Sequence, residues 1–210
     1  MWPLYKTTRG SALNELATIT EHDIRARLQR PLNTTYDLPG GSAPNKQAAV
    51  LVPFVREADE WHLLFIKRSE RENDRHSGQV AFAGGRYEET DTSLEMTALR
   101  ETQEEIGVNP DDVEVLGELN HHHSISNYQI TPVVGTLPWP YQLTLEVAEV
   151  AAAFTIPLRW LADPANHRVQ ERTIGESRFP VIFFEPYNGY VLWGATARMT
   201  LSLISLLRKP

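Results

Sequence analysis

The sequence predicts an α/β or α+β sandwich, and three observations carry that reading. Short apolar runs of strand length recur along the chain, segments of helical period lie between them, and Gly or Pro punctuation separates the two kinds. The 210 residues are 41% apolar and 22% charged, the balance of one ordinary globular domain large enough to bury a core. Twelve Gly and 14 Pro are scattered rather than periodic, which excludes collagen-like, low-complexity and broadly disordered chains. With no cysteine, disulfides, thiolate zinc sites and cysteine nucleophiles are excluded, and a reducing, cytoplasmic location is expected. Twenty basic against 27 acidic residues give a net charge of −7, the wrong sign for holding nucleic acid or anionic lipid, so neither is expected as a partner. The start, MWPLYKTTRGSAL, lacks the pattern of a signal peptide, and the apolar stretch Leu201 to Leu207 is far shorter than the roughly 20 residues a membrane span requires.

The elements follow in order. Thr20 and Asp23 resemble a capping box, and Ile24 and Leu28 continue an amphipathic helix until Pro31 stops it. Asn33 to Asn45 has loop composition and leads into an apolar run, Ala48 to Val55, expected as the first core strand. Trp61 to Ile66 is a second run, joined to the first by a hairpin across Arg56 to Glu60. Gln79 to Ala83 is a short strand ending in Gly84-Gly85; after it, Thr92 or Ser93 caps a helix that runs to Ile106 and is closed by Gly107. Further strands are expected at Val113 to Leu119, Ile130 to Leu137, Val169 to Ile174, Val181 to Phe184 and Tyr190 to Trp193, with a final helix over Ala195 to Arg208.

The chemistry is concentrated in the helix closed by Gly107. Helical spacing puts Glu101, Glu104 and Glu105 on one face, with Met96, Leu99 and Ile106 roughly opposite and toward the core. An isolated Glu-rich turn is most often a solvated face. Here it follows Gly84-Gly85, where missing side chains let a phosphate or metal approach the backbone, and crowded carboxylates favour a hard cation such as Mg²⁺ or Mn²⁺.

These residues resemble the Nudix box, G-x5-E-x7-R-E-U-x-E-E-x-G-U, with U a bulky apolar residue. This chain reads G-x5-D-x8-R-E-T-x-E-E-x-G-V from Gly85 to Val108, with Asp91 for the first Glu, one extra residue before Arg100, and Thr102 at an apolar position. The extra residue is similar to that of the coenzyme A pyrophosphatase branch. That likeness extends to Arg68-Ser69, His76 to Gly85, Ile130 to Gly135, Asp163 to Arg168 and Trp193 to Ala197. Family members often carry Pro where this chain has Ser77 and Ala83.

The resemblance implies a Nudix-like α/β/α sandwich with a mixed central sheet over residues 47–210, preceded at 1–46 by an accessory helix and loop. It implies metal-dependent hydrolysis of the diphosphate of coenzyme A or a derivative, giving adenosine 3′,5′-bisphosphate and 4′-phosphopantetheine, in a homodimer. Glu101, Glu104 and Glu105, with the Gly85 carbonyl, are the implied ligands of Mg²⁺ or Mn²⁺. Glu101, Glu105, Glu149 and Arg100 are the implied catalytic set, with Glu101 or Glu149 as the base and Arg100 orienting Asp91 or Glu104. Glu149 aligns with the first acidic residue of a family stretch whose second is Ala152 here, and Glu146 lies close by. Gly84 and Gly85 allow close approach of the substrate. Lys67, Arg68, Arg71, Arg75 and His76 supply cations for its phosphates, Arg68 being preferred with Arg71, although Glu70, Glu72 and Asp74 offer ordinary surface pairs as well.

Two other readings stay open: hydrolysis of another nucleoside diphosphate derivative, such as ADP-ribose or a dinucleotide, and a sensor module that binds without turnover. His121-His122-His123 is expected as a solvated loop, since consecutive residues on an extended segment alternate sides. Tyr128, Trp139, Tyr187 and Trp193 are expected in the core rather than on a base.

Overall fold

A computed structural model describes residues 16, 18–29, 46–72, 76–124, 127–174 and 177–208. Helix α1 (Glu21–Leu28) opens with the expected capping box: Thr20 Oγ1 accepts from the Asp23 amide, and the Asp23 carboxylate accepts from the Thr20 amide at 3.0 Å. Its Ile24 and Leu28 are buried, and Trp61 Nε1 donates to the Ile19 carbonyl at 2.7 Å, so this helix joins the main core. Pro31 and the loop expected at 33–45 lie outside the described residues.

Strands β1 (Lys46–Glu57) and β2 (Glu60–Arg68) form the expected hairpin. Its two-residue turn places Ala58 and Asp59 at φ 48° and 62°, the left-handed pair that matches the twist of the flanking strands. The strand expected at Gln79 to Ala83 is only β3 (Val80–Ala81), on β2, and the Gly84-Gly85 pair expected to end it instead opens a separate short strand, β4 (Gly84–Arg86), on β1. Helix α2 (Leu94–Ile106) is capped by Ser93, which accepts from the Met96 amide, and it ends at Gly107 with φ 72°. There follow β5 (Glu114–Glu118), β6 (His122–His123), β7 (Tyr128–Thr136), β8 (Val150–Pro157), α3 (Leu158–Ala162), β9 (His167–Ile174), β10 (Ser177–Phe184) and α4 (Gly194–Leu207).

The main sheet is mixed and eight-stranded. Its path is β3-β2-β1-β7-β5, with β4 added on β1, β6 on β7 and β8 on β2. β1 and β7 are parallel, from Lys46 opposite Tyr128 to Phe54 opposite Thr136, and β9 and β10 make a separate antiparallel hairpin. Alternation along β1 divides the core. Val52 and Phe54 face the larger cluster, which takes in Ile24 and Leu28 of α1 and Leu203 and Ile204 of α4, while Ala49 and Leu51 pack with Ala98 of α2 and Val133. Helices therefore cover both faces, as an α/β/α sandwich requires. No helix among the described residues is long and apolar enough to cross a membrane.

Several expectations need correction. Tyr190 to Trp193 is not a strand: Tyr187 pairs with Tyr190, and Phe183 with Trp193, only as isolated bridges around a turn in which Asn188 and Gly189 take positive φ. β8 and α3 carry neither clean alternation nor a strong cap, and periodicity did not mark them. Met96 is 45% exposed rather than core-facing; the small residues Thr97, Ala98 and Thr102, with Ile106, seat α2 on the sheet instead. His122 is not solvated either. It pairs with Ile130 in β6 and is 1% exposed, because the alternation that turns its neighbours outward turns it in.

Candidate active site

The site is built where α2 meets β4. Three residues from two adjacent turns of the helix engage three successive strand residues: Arg100 Nη2 donates to the Arg86 carbonyl at 2.9 Å, Glu101 lies against Gly85, and Glu105 Oε2 accepts from the Gly84 amide at 2.9 Å. A Cβ on Gly85 would stand 2.4–2.5 Å from the Glu101 carboxylate, so the approach requires glycine.

Arg100 is the hub of the acidic helix. Its Nε donates to Asp91 Oδ1 at 2.9 Å, and its Nη1 reaches Glu101 Oε1 at 3.1 Å and Glu104 Oε2 at 3.0 Å. Asp91 is buried and also accepts from the Glu88 amide and Thr97 Oγ1, which fixes the loop between β4 and α2. The Arg100 hydrogen bond, helped by those two donors, holds the Asp91 carboxyl down to about 2 despite its burial. Asp is long enough for this task because it binds the loop and the arginine rather than reaching the glutamates. Arg100 thus holds Asp91 and Glu104 together.

A second carboxylate source arrives from the other side. The last carbonyls of α2 have no partners within the helix, and those of Glu105 and Ile106 accept instead from the amides of Glu146 and Thr144, at 2.9 and 3.0 Å. This stitches the segment carrying Glu149 to the helix carrying Glu101 and Glu105. The segment that follows β2 clamps it from outside: the Ser69 amide donates to the Glu149 carbonyl, Ser69 Oγ to the Val147 carbonyl, and Arg71 Nε to the Ala148 carbonyl at 2.7 Å. Arg71 Nη2 lies 3.6 Å from Glu149 Oε1, and Arg68 Nη1 lies 3.7 Å from Glu105 Oε1. Lys67 reaches Glu70 at 3.9 Å, His76 Nδ1 lies 3.1 Å from Gln79 Oε1, and Arg75 falls outside the described residues.

The acidic groups feel one another. Burial lifts the Glu105 carboxyl to about 7 against the opposing Gly84 hydrogen bond and Arg68, with the charges of Glu101 and Glu149 adding to the lift. Glu101 is raised by burial, opposed by Arg100, and raised further by Glu104 and Glu149. The set is not assembled as bare spacing suggested, however: the side chain of Glu105 is 3% exposed and that of Glu101 17%, but Glu104 is 58% exposed and lies on Arg100. Among the described residues no three acidic or imidazole side chains form a ready ligand set. The donor chemistry nonetheless fits a hard divalent cation. The donors are all oxygens, Gly85 leaves the space a Cβ would fill, and repulsion among Glu101, Glu105 and Glu149 is what a cation would relieve.

The site is thus a helix of glutamates docked on a glycine strand and buttressed by an Arg–Asp pair. The NUDIX domain family model matches residues 45–175, and the chain belongs to that family. The Nudix hydrolase NudL of Citrobacter koseri is 37% identical over 185 residues, covering 88% of this chain and 92% of that one. NudL of Escherichia coli O6:H1 is 40% identical over 156 residues, covering 73% and 78%. Relatives of this similarity and coverage make the chain an enzyme of the Nudix hydrolase class. Among solved structures, the Caenorhabditis elegans Ap4A hydrolase in binary complex aligns with a TM-score of 0.45 at 17% identity, over 54% of this chain and 80% of that one. The NUDIX domain of Shewanella oneidensis NrtR complexed with ADP ribose aligns with a TM-score of 0.43 at 25% identity, over 67% and 84%.

Sequence reasoning located α2, both glycines and Glu149, but not the stitching that joins them. Ser69 and Ser77 lie in the segments that resemble the family, but nothing in their spacing shows that Ser69 clamps the Val147 and Glu149 carbonyls or that Ser77 accepts from the Arg71 amide at 2.8 Å.

Proposed function

We propose that this enzyme hydrolyses the diphosphate bridge of coenzyme A or a derivative, releasing adenosine 3′,5′-bisphosphate and 4′-phosphopantetheine. The observation that carries the reading is the meeting of Glu101, Glu105 and Glu149 at the Gly84–Gly85 strand, in a chain whose segments outside the box resemble the coenzyme A branch. Glu101, Glu104 and Glu105 with the Gly85 carbonyl would hold Mg²⁺ or Mn²⁺. The bound cation supplies neutralisation of phosphate charge and a lowered pKa for water.

The protein's own groups do the rest. Glu149, held in place by Ser69 and Arg71, or Glu101 takes the proton of the attacking water. Arg68, beside Glu105, provides the positive charge that meets the diphosphate, and Arg71 lies one contact further out on Glu149. Gly85 lets the Glu101 carboxylate lie against the strand, and Gly84 presents its amide to Glu105. The test is steady-state hydrolysis of coenzyme A, ADP-ribose and a dinucleotide, with and without Mg²⁺ or Mn²⁺. Coenzyme A is expected to have the highest kcat/KM and to yield the two products named. Preference for ADP-ribose or the dinucleotide overturns the substrate, and no turnover of any with either metal overturns the reaction.

A further inference from the structure

On the face of the sheet opposite α2, two cations converge on one aromatic ring. Lys46 opens β1 directly opposite Tyr128 of β7, and Arg86 ends β4 opposite Ala48, so Lys46, Ala48, Arg86 and Tyr128 share one face. The Lys46 ammonium and the Arg86 guanidinium each lie 5.5 Å from the centre of the Tyr128 ring. Arg86 reaches that ring across β1, over the methyl group of Ala48.

Three features separate this cluster from ordinary surface charge. Both cations are exposed, and neither makes an ion pair among the described residues, although the chain carries seven more acidic than basic groups. The Tyr128 hydroxyl is shielded from solvent and has no hydrogen-bond partner among the described residues, a state that an arriving acceptor would relieve. The cluster is also joined to the site: Arg86 follows Gly85, and its carbonyl holds Arg100 at 2.9 Å. By contrast Arg68 and Arg71 already face carboxylates.

We propose that Lys46, Arg86 and Tyr128 form a specificity subsite for a phosphomonoester on the nucleoside part of the substrate, its ribose phosphate lying on the two cations. The inference rests on the coenzyme A reading, which supplies a substrate with such a group. A substrate whose diphosphate lies at Glu101 would pass over the Gly84–Gly85 strand to reach Arg86 on the other face. Lys46 and Arg86 then pair with the phosphate dianion, and the ring fixes both side chains beforehand.

The probes are adenosine 3′,5′-bisphosphate and AMP, bound without metal and followed by calorimetry. They differ only in the phosphate assigned to this subsite. The wild type is expected to bind the bisphosphate about tenfold or more tightly than AMP. Lys46→Met together with Arg86→Gln is expected to abolish that advantage and leave AMP binding within about twofold. Arg86→Lys with Lys46 intact, which keeps both charges, should retain most of the advantage, and thermal melts confirm that each variant is folded. Equal affinity for the two probes in the wild type, an advantage that survives in the double variant, or equal weakening of both probes each overturns the subsite. Turnover separates this from the parent reading: a wild type that prefers ADP-ribose over coenzyme A overturns the substrate assignment, whereas preference for coenzyme A with an undiminished advantage in the double variant overturns the subsite alone.

Discussion

Replacing Gly85 with Ala isolates the contact on which the site depends. The new Cβ would stand 2.4 Å from Glu101 Cδ and 2.4 and 2.5 Å from its two oxygens, whereas carbon atoms in ordinary contact sit about 3.5–4.0 Å apart. The carboxylate must therefore retreat by roughly 1 Å, and a displacement of that size costs on the order of 10² in rate. The fold should tolerate it: the group that moves is the end of a flexible side chain, and Ala restricts the unfolded chain by about 0.4–1 kcal/mol in compensation. Gly84→Ala is the contrasting case. At φ 151° its Cβ would meet the Ala49 carbonyl oxygen at 2.3 Å and Val50 Cα at 2.5 Å, both backbone. Strain and overpacking together predict a loss of about 2–5 kcal/mol, and thus a melting point lower by roughly 5–15 °C. Thermal melts and metal-supported hydrolysis of coenzyme A on both variants check the pair. Gly85→Ala should melt within about 3 °C of wild type with kcat down about 100-fold. A Gly85→Ala rate within threefold of wild type, or melting as low as that of Gly84→Ala, would refute the reasoning.

Other perturbations test the supports around this contact. Arg71→Ala removes the donor that clamps the Ala148 carbonyl and faces Glu149, so kcat should fall about tenfold with KM nearly constant and Arg71→Lys partly restoring it; a rise in KM alone would place Arg71 on the substrate instead. Asp91→Asn should lower the melting point most at neutral pH. Its wild-type advantage is complete above the ordinary carboxyl pKa of 3.8 and fades as pH falls through about 2, so melts at pH 7 and pH 3 should show a shrinking deficit, and a constant one contradicts the ion pair. Burial depresses the His122 imidazole to about 3, so between pH 6.5 and 3 the unfolded chain binds a proton that the folded one refuses. Stability should then drop by up to about 1.4 kcal/mol per pH unit below 6.5; His122→Leu should flatten that fall, whereas parallel pH profiles would exclude His122 as its source.

Much of the fold was legible because local signals agreed with tertiary need. Thr20 with Asp23, Ser93 and Gly107 marked helix ends through their own hydrogen bonding, and the β1–β2 hairpin followed from two apolar runs with a short polar link. Where packing decided, pattern reading failed. Met96 is apolar, yet α2 rests on small residues that fit Ala49 and Leu51, and His122 is polar but lies on the inward side of β6. The site divides in the same way. Helical spacing named Glu101, Glu104 and Glu105 as neighbours, but which of them approaches Gly85 depends on the docking of α2 against β4, and that docking sends Glu104 to Arg100 instead. Lys46, Arg86 and Tyr128 are 82 positions apart at their extremes and meet only through the parallel pairing of β1 with β7, which no local pattern encodes.

The most direct measurement is hydrolysis of coenzyme A by wild type and Glu105→Gln in the presence of Mg²⁺ or Mn²⁺, with products resolved and both proteins melted in parallel. Glu105 is the acidic group held deepest in the site, by the Gly84 amide on one oxygen and facing Arg68 on the other. The wild type should release adenosine 3′,5′-bisphosphate and 4′-phosphopantetheine. Glu105→Gln should retain the melting transition and lose at least about 100-fold in kcat. A folded Glu105→Gln variant that turns over at the wild-type rate would contradict the central claim that the carboxylates of α2 carry the chemistry.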